Sequence, residues 1–243
     1  MSLSLVRFGP LDCYQIDGGD GPVVSVVMCH GFGAPGDDLV GLADEWIARL
    51  GEDAGRCRFV FPAAPHDLAA LGMPGGRAWW PINVARLAEL AMADRFDELY
   101  DVRPPGMDEA SEQLSASVAA VLRETGDGSG PLILGGFSQG AMVSMDVALR
   151  LPHPPAALFQ FSGTLLCRDR WRAAIDRLAR SAVLVTHGRQ DPILPYSAAE
   201  DLRELLSGGG VDVDFVGFDG PHTIHAGGVD RSVTLLRKVI ASV

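Results

Sequence analysis

Short runs of almost wholly apolar, often β-branched residues recur along this chain, and segments with helical spacing lie between them. "VVSVVMC" (23–29), "CRFVFP" (57–62), 131–134, 156–161, 182–186 and 211–218 are the strand candidates. "DLVGLADEWIARL" (38–50), 108–125, 141–150, 168–180, 196–207 and 229–241 are the helix candidates. In 108–125 the residues Leu114, Val118, Val121 and Leu122 fall on one stripe, with polar residues opposite. A strand without a polar face is stable only where helices cover both sides of its sheet, the arrangement found in parallel α/β sheets. Two further short strand candidates stand near the N-terminus. No repeat, low-complexity block or linker divides the 243 residues. The pattern therefore predicts a single α/β domain over 1–243, with a mostly parallel central sheet flanked by helices on both faces.

One segment departs from the alternation. Residues 81–106, "PINVARLAELAMADRFDELYDVRPPG", show helical spacing at Leu87, Leu90 and Ala91 and end on a Pro-Pro stop. The segment is either a plain surface connection or a small cap over a pocket, since long excursions in compact domains are often functional.

A formal charge of −11 argues against nucleic acid or an anionic membrane surface as the partner, because both require a basic face. The cysteines Cys13, Cys29, Cys57 and Cys167 are widely spaced without a C-x-x-C, which suggests neither a zinc site nor a redox pair. Cys29 and Cys57 sit in apolar runs as small hydrophobes. The first residues, "MSLSLVRFGPLD", lack the basic and apolar regions of a signal peptide. No apolar run approaches the ~20 residues of a membrane helix. The expectation is a cytoplasmic protein with no integral membrane association.

Within "PLILGGFSQGAM" the residues Gly136-Phe137-Ser138-Gln139-Gly140 form a G-x-S-x-G pentapeptide. Alone it is a short motif that also arises by chance. Its setting is more telling, because a strand candidate runs straight into it and a helix candidate follows. A serine on such a strand-to-helix bend is lifted above the sheet edge, as in a nucleophile elbow.

A serine hydroxyl is a poor nucleophile at neutral pH and needs a base, with a third group to orient that base. On this architecture the chain order is serine, acid, histidine. In "AVLVTHGRQDPILP", Asp191 stands just past the carboxyl end of a strand, where parallel sheets carry their sites. The alternative for Asp191 is an N-cap or Asp-Pro turn. The last strand, "VDVDFVGF", leads into "DGPHTIH", and His222 follows four residues after Phe218. His222 is favoured as the base over His225, which lies nearer the last helix. His30 and His187 each precede a glycine at a strand end and are read as packing or backbone-bonding residues.

Acyl chemistry also requires donors for a developing oxyanion. The Gln139 amide, at the start of a helix, is one candidate. The other is expected from "CHGFGAPGDD", with the Phe32 amide preferred over Gly31 or Gly33. In this reading Gln139 matters for its backbone amide more than for its side chain. A glycine-rich turn without a catalytic task is the competing interpretation of that loop.

"HGFGAPGDD", "RFVFPAAP", "GRAWWPI", "GGFSQGAM", "HGRQDPILP" and "DGPHTI" occur in the order seen in the phospholipase/carboxylesterase family, which the chain resembles from about Val23 to its C-terminus. The resemblance implies an α/β-hydrolase fold and hydrolysis of small-molecule carboxylic esters or thioesters without metal or other cofactor. It carries the nucleophile to Ser138, the acid to Asp191, the base to His222 and the oxyanion donors to the Phe32 and Gln139 amides. "RAWWPI" resembles the aromatic segment bordering the acyl pocket, so Trp79 and Trp80 are expected either to line that pocket or to serve as core. The compact members are short where this chain has 81–106, so substrate preference does not transfer. The implied activity is a carboxylesterase, with lysophospholipase or acyl-thioesterase as alternatives using the same triad. From another class stands a hydrolase-fold ligand receptor without turnover.

Overall fold

The computed structural model describes residues 2–126 and 128–243. The chain begins with a hairpin, β1 (Ser4–Phe8) and β2 (Leu11–Asp17), and continues with β3 (Val24–Cys29), α1 (Val40–Leu50) and β4 (Cys57–Pro62). Two-residue strands β5 (His66–Asp67) and β6 (Arg77–Ala78) pair with each other before α2 (Val84–Met92) and the long α3 (Met107–Thr125). Then come β7 (Leu132–Phe137), α4 (Gln139–Ala148), β8 (Ala157–Phe161), α5 (Arg168–Ala174), β9 (Ala182–Gly188), α6 (Tyr196–Gly208), β10 (Asp212–Phe218) and α7 (Ala226–Ile240). Among the described residues, eight strands form one sheet in the order β1-β2-β4-β3-β7-β8-β9-β10. The pairings from β4 through β10 are parallel, and those joining β1 to β2 and β2 to β4 are antiparallel.

The apolar strands earn their composition from both faces of this sheet. In β3, Val24, Val26 and Met28 join one core, and Val27 and Cys29 join the other. In β7, Ile133 and its neighbours Leu132 and Leu134 divide in the same way. A two-residue period thus buries every position, which a half-solvated strand would not require. On one face lie α1 and α7, joined by Trp46, whose Nε1 donates to Ser232 Oγ at 2.8 Å. On the other face α3, α4, α5 and α6 supply Leu114, Val118, Val143, Trp171 and Leu202, all fully buried.

That second layer is pinned by a buried carboxylate. Asp146, on α4, accepts from Ser111 of α3 at 2.7 Å, Trp171 Nε1 of α5 at 3.1 Å and Arg170 at 3.0 Å. A buried charge is tolerable only with such donors, and here they fix the helix that follows Ser138.

The strand read at 131–134 runs on to Phe137, and α4 begins at Gln139 instead of 141. Gly135 and Gly136 stay in register with Met28 and Cys29 on one side and with Phe159 and Gln160 on the other. The strand therefore ends only where Ser138 turns. The helix read at 168–180 closes as a 3-10 turn over Ile175–Leu178, and that read at 229–241 starts at Ala226. No described helix is long and apolar enough to cross a membrane.

Candidate active site

Because β3, β7, β8, β9 and β10 run parallel, everything just past their C-terminal ends gathers at one edge. Ser138 follows β7 directly, Phe32 lies three residues beyond β3, Asp191 three beyond β9 and His222 four beyond β10. Ser138, Phe32, Asp191 and His222, read from four distant stretches of sequence, all follow strands that end at this edge.

Ser138 has φ 54° and ψ −119°, a backbone conformation that side chains rarely adopt. Its amide donates to the Phe161 carbonyl at 2.9 Å, and its carbonyl accepts from Ala141 at 3.0 Å, so both sides of the bend are held. It occupies the N-cap position of α4, yet its hydroxyl makes no capping bond. A serine at an N-cap ordinarily spends its oxygen on the first helical turn. Here that oxygen is left for other chemistry.

His222 Nδ1 stands 2.6 Å from Asp191 Oδ2. A carboxylate only accepts, so the proton lies on Nδ1 and Nε2 is the ring's basic nitrogen. The ring packs against Phe137, the neighbour of Ser138, with centroids 4.7 Å apart. Among the described residues the Ser138 hydroxyl makes no hydrogen bond to this ring. Catalytic contacts of this kind tighten when substrate is bound.

Asp191 is fully buried, and its second oxygen is equally engaged: Oδ1 accepts from the Ile193 and Leu194 amides at 2.8 and 2.9 Å. Burial pushes the carboxyl upward. Hydrogen bonds from His187 and His222, the His222 charge and the Leu194 amide outweigh it and hold Asp191 well below the usual carboxylate range. The acid is therefore ionised wherever the protein is folded at ordinary pH.

His225 takes another task. It accepts from the Gly227 amide at 3.1 Å as the N-cap of α7, and stacks on Phe218 at 4.8 Å. His30 is buried, with Nε2 accepting from the Ala64 amide at 3.0 Å and Nδ1 donating to the Gly31 carbonyl at 2.8 Å. Desolvation and the nearby Arg77 charge bring its pKa down to about 4, against the smaller opposing effect of the Gly31 carbonyl and of Asp37.

The loop after β3 comes against the serine: a β-carbon on Gly31 would lie 3.4 Å from Ser138 Cβ. Gly33 is not a free donor, since its amide bonds the Arg77 carbonyl at 2.9 Å. Among the described residues the Phe32 amide has no such acceptor. The Gln139 amide lies in the first turn of α4, where no intrahelical acceptor exists.

The two tryptophans separate. Trp79 is fully buried and donates from Nε1 to the His30 carbonyl at 2.9 Å, outside the lining of the cavity described next. Trp80 lines an apolar cavity of about 190 Å³ beneath 81–106. That cavity is walled by Ile82, Leu87, Phe96 and Leu99 from the excursion, and by Met142 and Leu194 from beside Ser138 and Asp191. The excursion carries α2 and a 3-10 turn over Phe96–Leu99, and it contributes Ile82, Leu87, Phe96 and Leu99 to the cavity lining. The side chain of Gln139 was overlooked in the sequence. Its Oε1 accepts from the Trp79 amide at 2.9 Å, and its Nε2 donates to the Trp80 carbonyl at 2.8 Å. Among the described residues no group of three or more His, Cys, Asp or Glu side chains is placed to hold a metal ion.

The model of the phospholipase/carboxylesterase family matches residues 13–240, nearly the whole chain. The chain belongs to this family. Its fold is the α/β-hydrolase fold, and family membership makes it a carboxylic ester hydrolase. It is 30% identical to esterase PE8, whose crystal structure superposes with a TM-score of 0.76 over 98% of this chain and 100% of that one. Acyl-protein thioesterase 1 of Kluyveromyces lactis is 28% identical over 210 residues, 81% of this chain and 82% of the relative. The carboxylesterase of Bacillus cereus shares the fold at a TM-score of 0.70, with 15% identity over 95% of each chain.

Proposed function

We propose that this carboxylic ester hydrolase works by two-step acyl transfer through an acyl-Ser138 intermediate. His222, held by Asp191 in the Nδ1–H tautomer, takes the Ser138 proton as the hydroxyl attacks the ester carbonyl. The Phe32 and Gln139 amides receive the oxyanion of the tetrahedral intermediate, each such donor being worth ~3 kcal/mol. His222 then gives its proton to the departing alcohol or thiol. Water repeats the sequence and frees the acid.

The observation that carries this reading is the His222–Asp191 bond of 2.6 Å beside a strained serine whose hydroxyl caps nothing. Trp80, Leu87 and Met142 surround the acyl chain in the cavity under 81–106. An acyl-thioesterase reading is favoured by the thioesterase relatives. It uses the same atoms, because the thiol leaves in place of the alcohol. Four free, buried cysteines suit a reducing cytoplasmic setting.

The test is Ser138→Ala against a nitrophenyl ester, alongside fluorophosphonate labelling of the unmodified protein followed by mass spectrometry. Hydrolysis should vanish with the fold intact, and the adduct should map to Ser138. Retained hydrolysis in the variant, or an adduct elsewhere, would refute the assignment.

A further inference from the structure

Asp191 is gripped by two histidines, and the reaction described above uses only one. His187, the penultimate residue of β9, is fully buried. Its Nε2 lies 3.1 Å from Asp191 Oδ2, the same oxygen that holds His222, and 2.8 Å from the Leu194 carbonyl. Both neighbours are acceptors only, so the proton of His187 sits on Nε2, donated to the Leu194 carbonyl with Asp191 Oδ2 as the more distant contact. Its Nδ1 is buried and, among the described residues, has no hydrogen-bond partner.

We infer that His187 is a positioning residue for the base: its Nε2–H, held by the Leu194 carbonyl 3.1 Å from Asp191 Oδ2, keeps that carboxylate directed at His222. The inference rests on the Ser138-Asp191-His222 reading. Ile193, Leu194 and His222 donate to the carboxylate, and His187 Nε2 stands 3.1 Å from its Oδ2 as a fourth contact. The carboxylate then has no other orientation of equal energy, and it presents the His222 ring at a fixed angle. The Leu194 carbonyl ties the same ring to the loop that carries Asp191, so strand end and loop move as one body.

The test compares His187→Gln with His187→Leu in the full chain. A glutamine Nε2 can take the place of the imidazole Nε2; leucine fills space without a donor. Nitrophenyl ester kinetics are measured together with the low-field proton resonance of His222 Nδ1–H. Misplacing a supporting group of this kind costs about 10- to 100-fold. H187L should therefore lose that factor in kcat with little change in KM, and its low-field resonance should shift or broaden. H187Q should recover most of kcat and the original resonance. An unaltered His222 resonance in H187L, or an H187Q as impaired as H187L, would overturn the inference. Should H187L fail to fold, His187→Asn replaces it, since its shorter amide cannot reach Asp191 and should behave as H187L is expected to. Fluorophosphonate labelling of the unmodified protein separates the two levels. An adduct on Ser138 with no effect in the His187 variants removes only the role of His187, whereas no adduct removes the triad reading and this one with it.

Discussion

The side-chain amide of Gln139 spans the Trp79–Trp80 peptide, accepting from the Trp79 amide at 2.9 Å and donating to the Trp80 carbonyl at 2.8 Å. The residue after Ser138 thus fastens the start of the 81–106 excursion to the first turn of α4, and its backbone amide remains without an intrahelical acceptor. Gln139→Ala keeps that amide but strands two buried backbone groups, at about 1–3 kcal/mol each. Denaturant unfolding should show a loss of roughly 2–6 kcal/mol. The variant should still take up fluorophosphonate, while its preference among acyl-chain lengths flattens because Trp80 is no longer fixed. An unchanged chain-length profile would show that the clamp serves stability alone.

Much of this arrangement could be read from the residues, and the exceptions have a common cause. Apolar strands, helical stripes and a Ser-Asp-His order each depend on local pattern or on strand direction, which the sequence displays. The contact of His187 with Asp191 depends on how four residues curl back past a strand end. The clamp by Gln139 depends on a partner 59 residues away. Similarly, the spacing of Leu87 and Leu90 announces a helix in 81–106, but that it covers a cavity follows only once Met142, Leu166 and Leu194 arrive from three other parts of the chain.

Ser138 and Gly140 should respond in opposite senses to substitution. Ser138 carries strain of about 1–3 kcal/mol at φ 54°. Ser138→Gly removes both that strain and the hydroxyl, so it should be inactive yet at least as stable, within the ~0.5–1 kcal/mol that glycine costs through chain entropy. A β-carbon on Gly140, in contrast, would sit 2.0 Å from the Cys29 carbonyl oxygen, where β3 passes α4. Gly140→Ala should destabilise by more than about 3 kcal/mol or fail to accumulate as folded protein. Equal midpoints for the two variants in denaturant would contradict this geometry.

Stability should depend on pH through His30. Its folded pKa of about 4 lies below the ~6.5 of an exposed imidazole, so between these values the unfolded chain binds the extra proton and the folded chain does not. The contribution is therefore complete above about pH 6.5 and is lost as pH falls toward 4, amounting to about 3 kcal/mol. Asp191, whose folded pKa is depressed, adds its own loss as pH falls through the ordinary carboxylate range and below it. Replacing His30 by glutamine, which does not titrate, should flatten the denaturation midpoint between pH 6.5 and 4 even if the absolute stability drops. A midpoint that falls equally steeply in both proteins would assign the dependence to other groups.

The cavity under 81–106 sets an expectation for substrate size. Its volume of about 190 Å³ is below the ~300–1,000 Å³ of most ligand pockets. A pocket of that size suits a short acyl chain better than a long one. Nitrophenyl esters should therefore be hydrolysed best with acyl chains of about two to six carbons, and kcat/KM should fall steeply beyond them. Leu87 and Leu99 close the cavity from the cover, so truncating either to alanine adds room for two or three carbons and should move the optimum to longer chains. Leu87→Trp should move it to acetate. A profile that rises through long chains in the unmodified protein would mean that the cover opens or that the acyl group lies elsewhere. An optimum that follows the side chains at 87 and 99 would identify the excursion as the element that selects the acyl group.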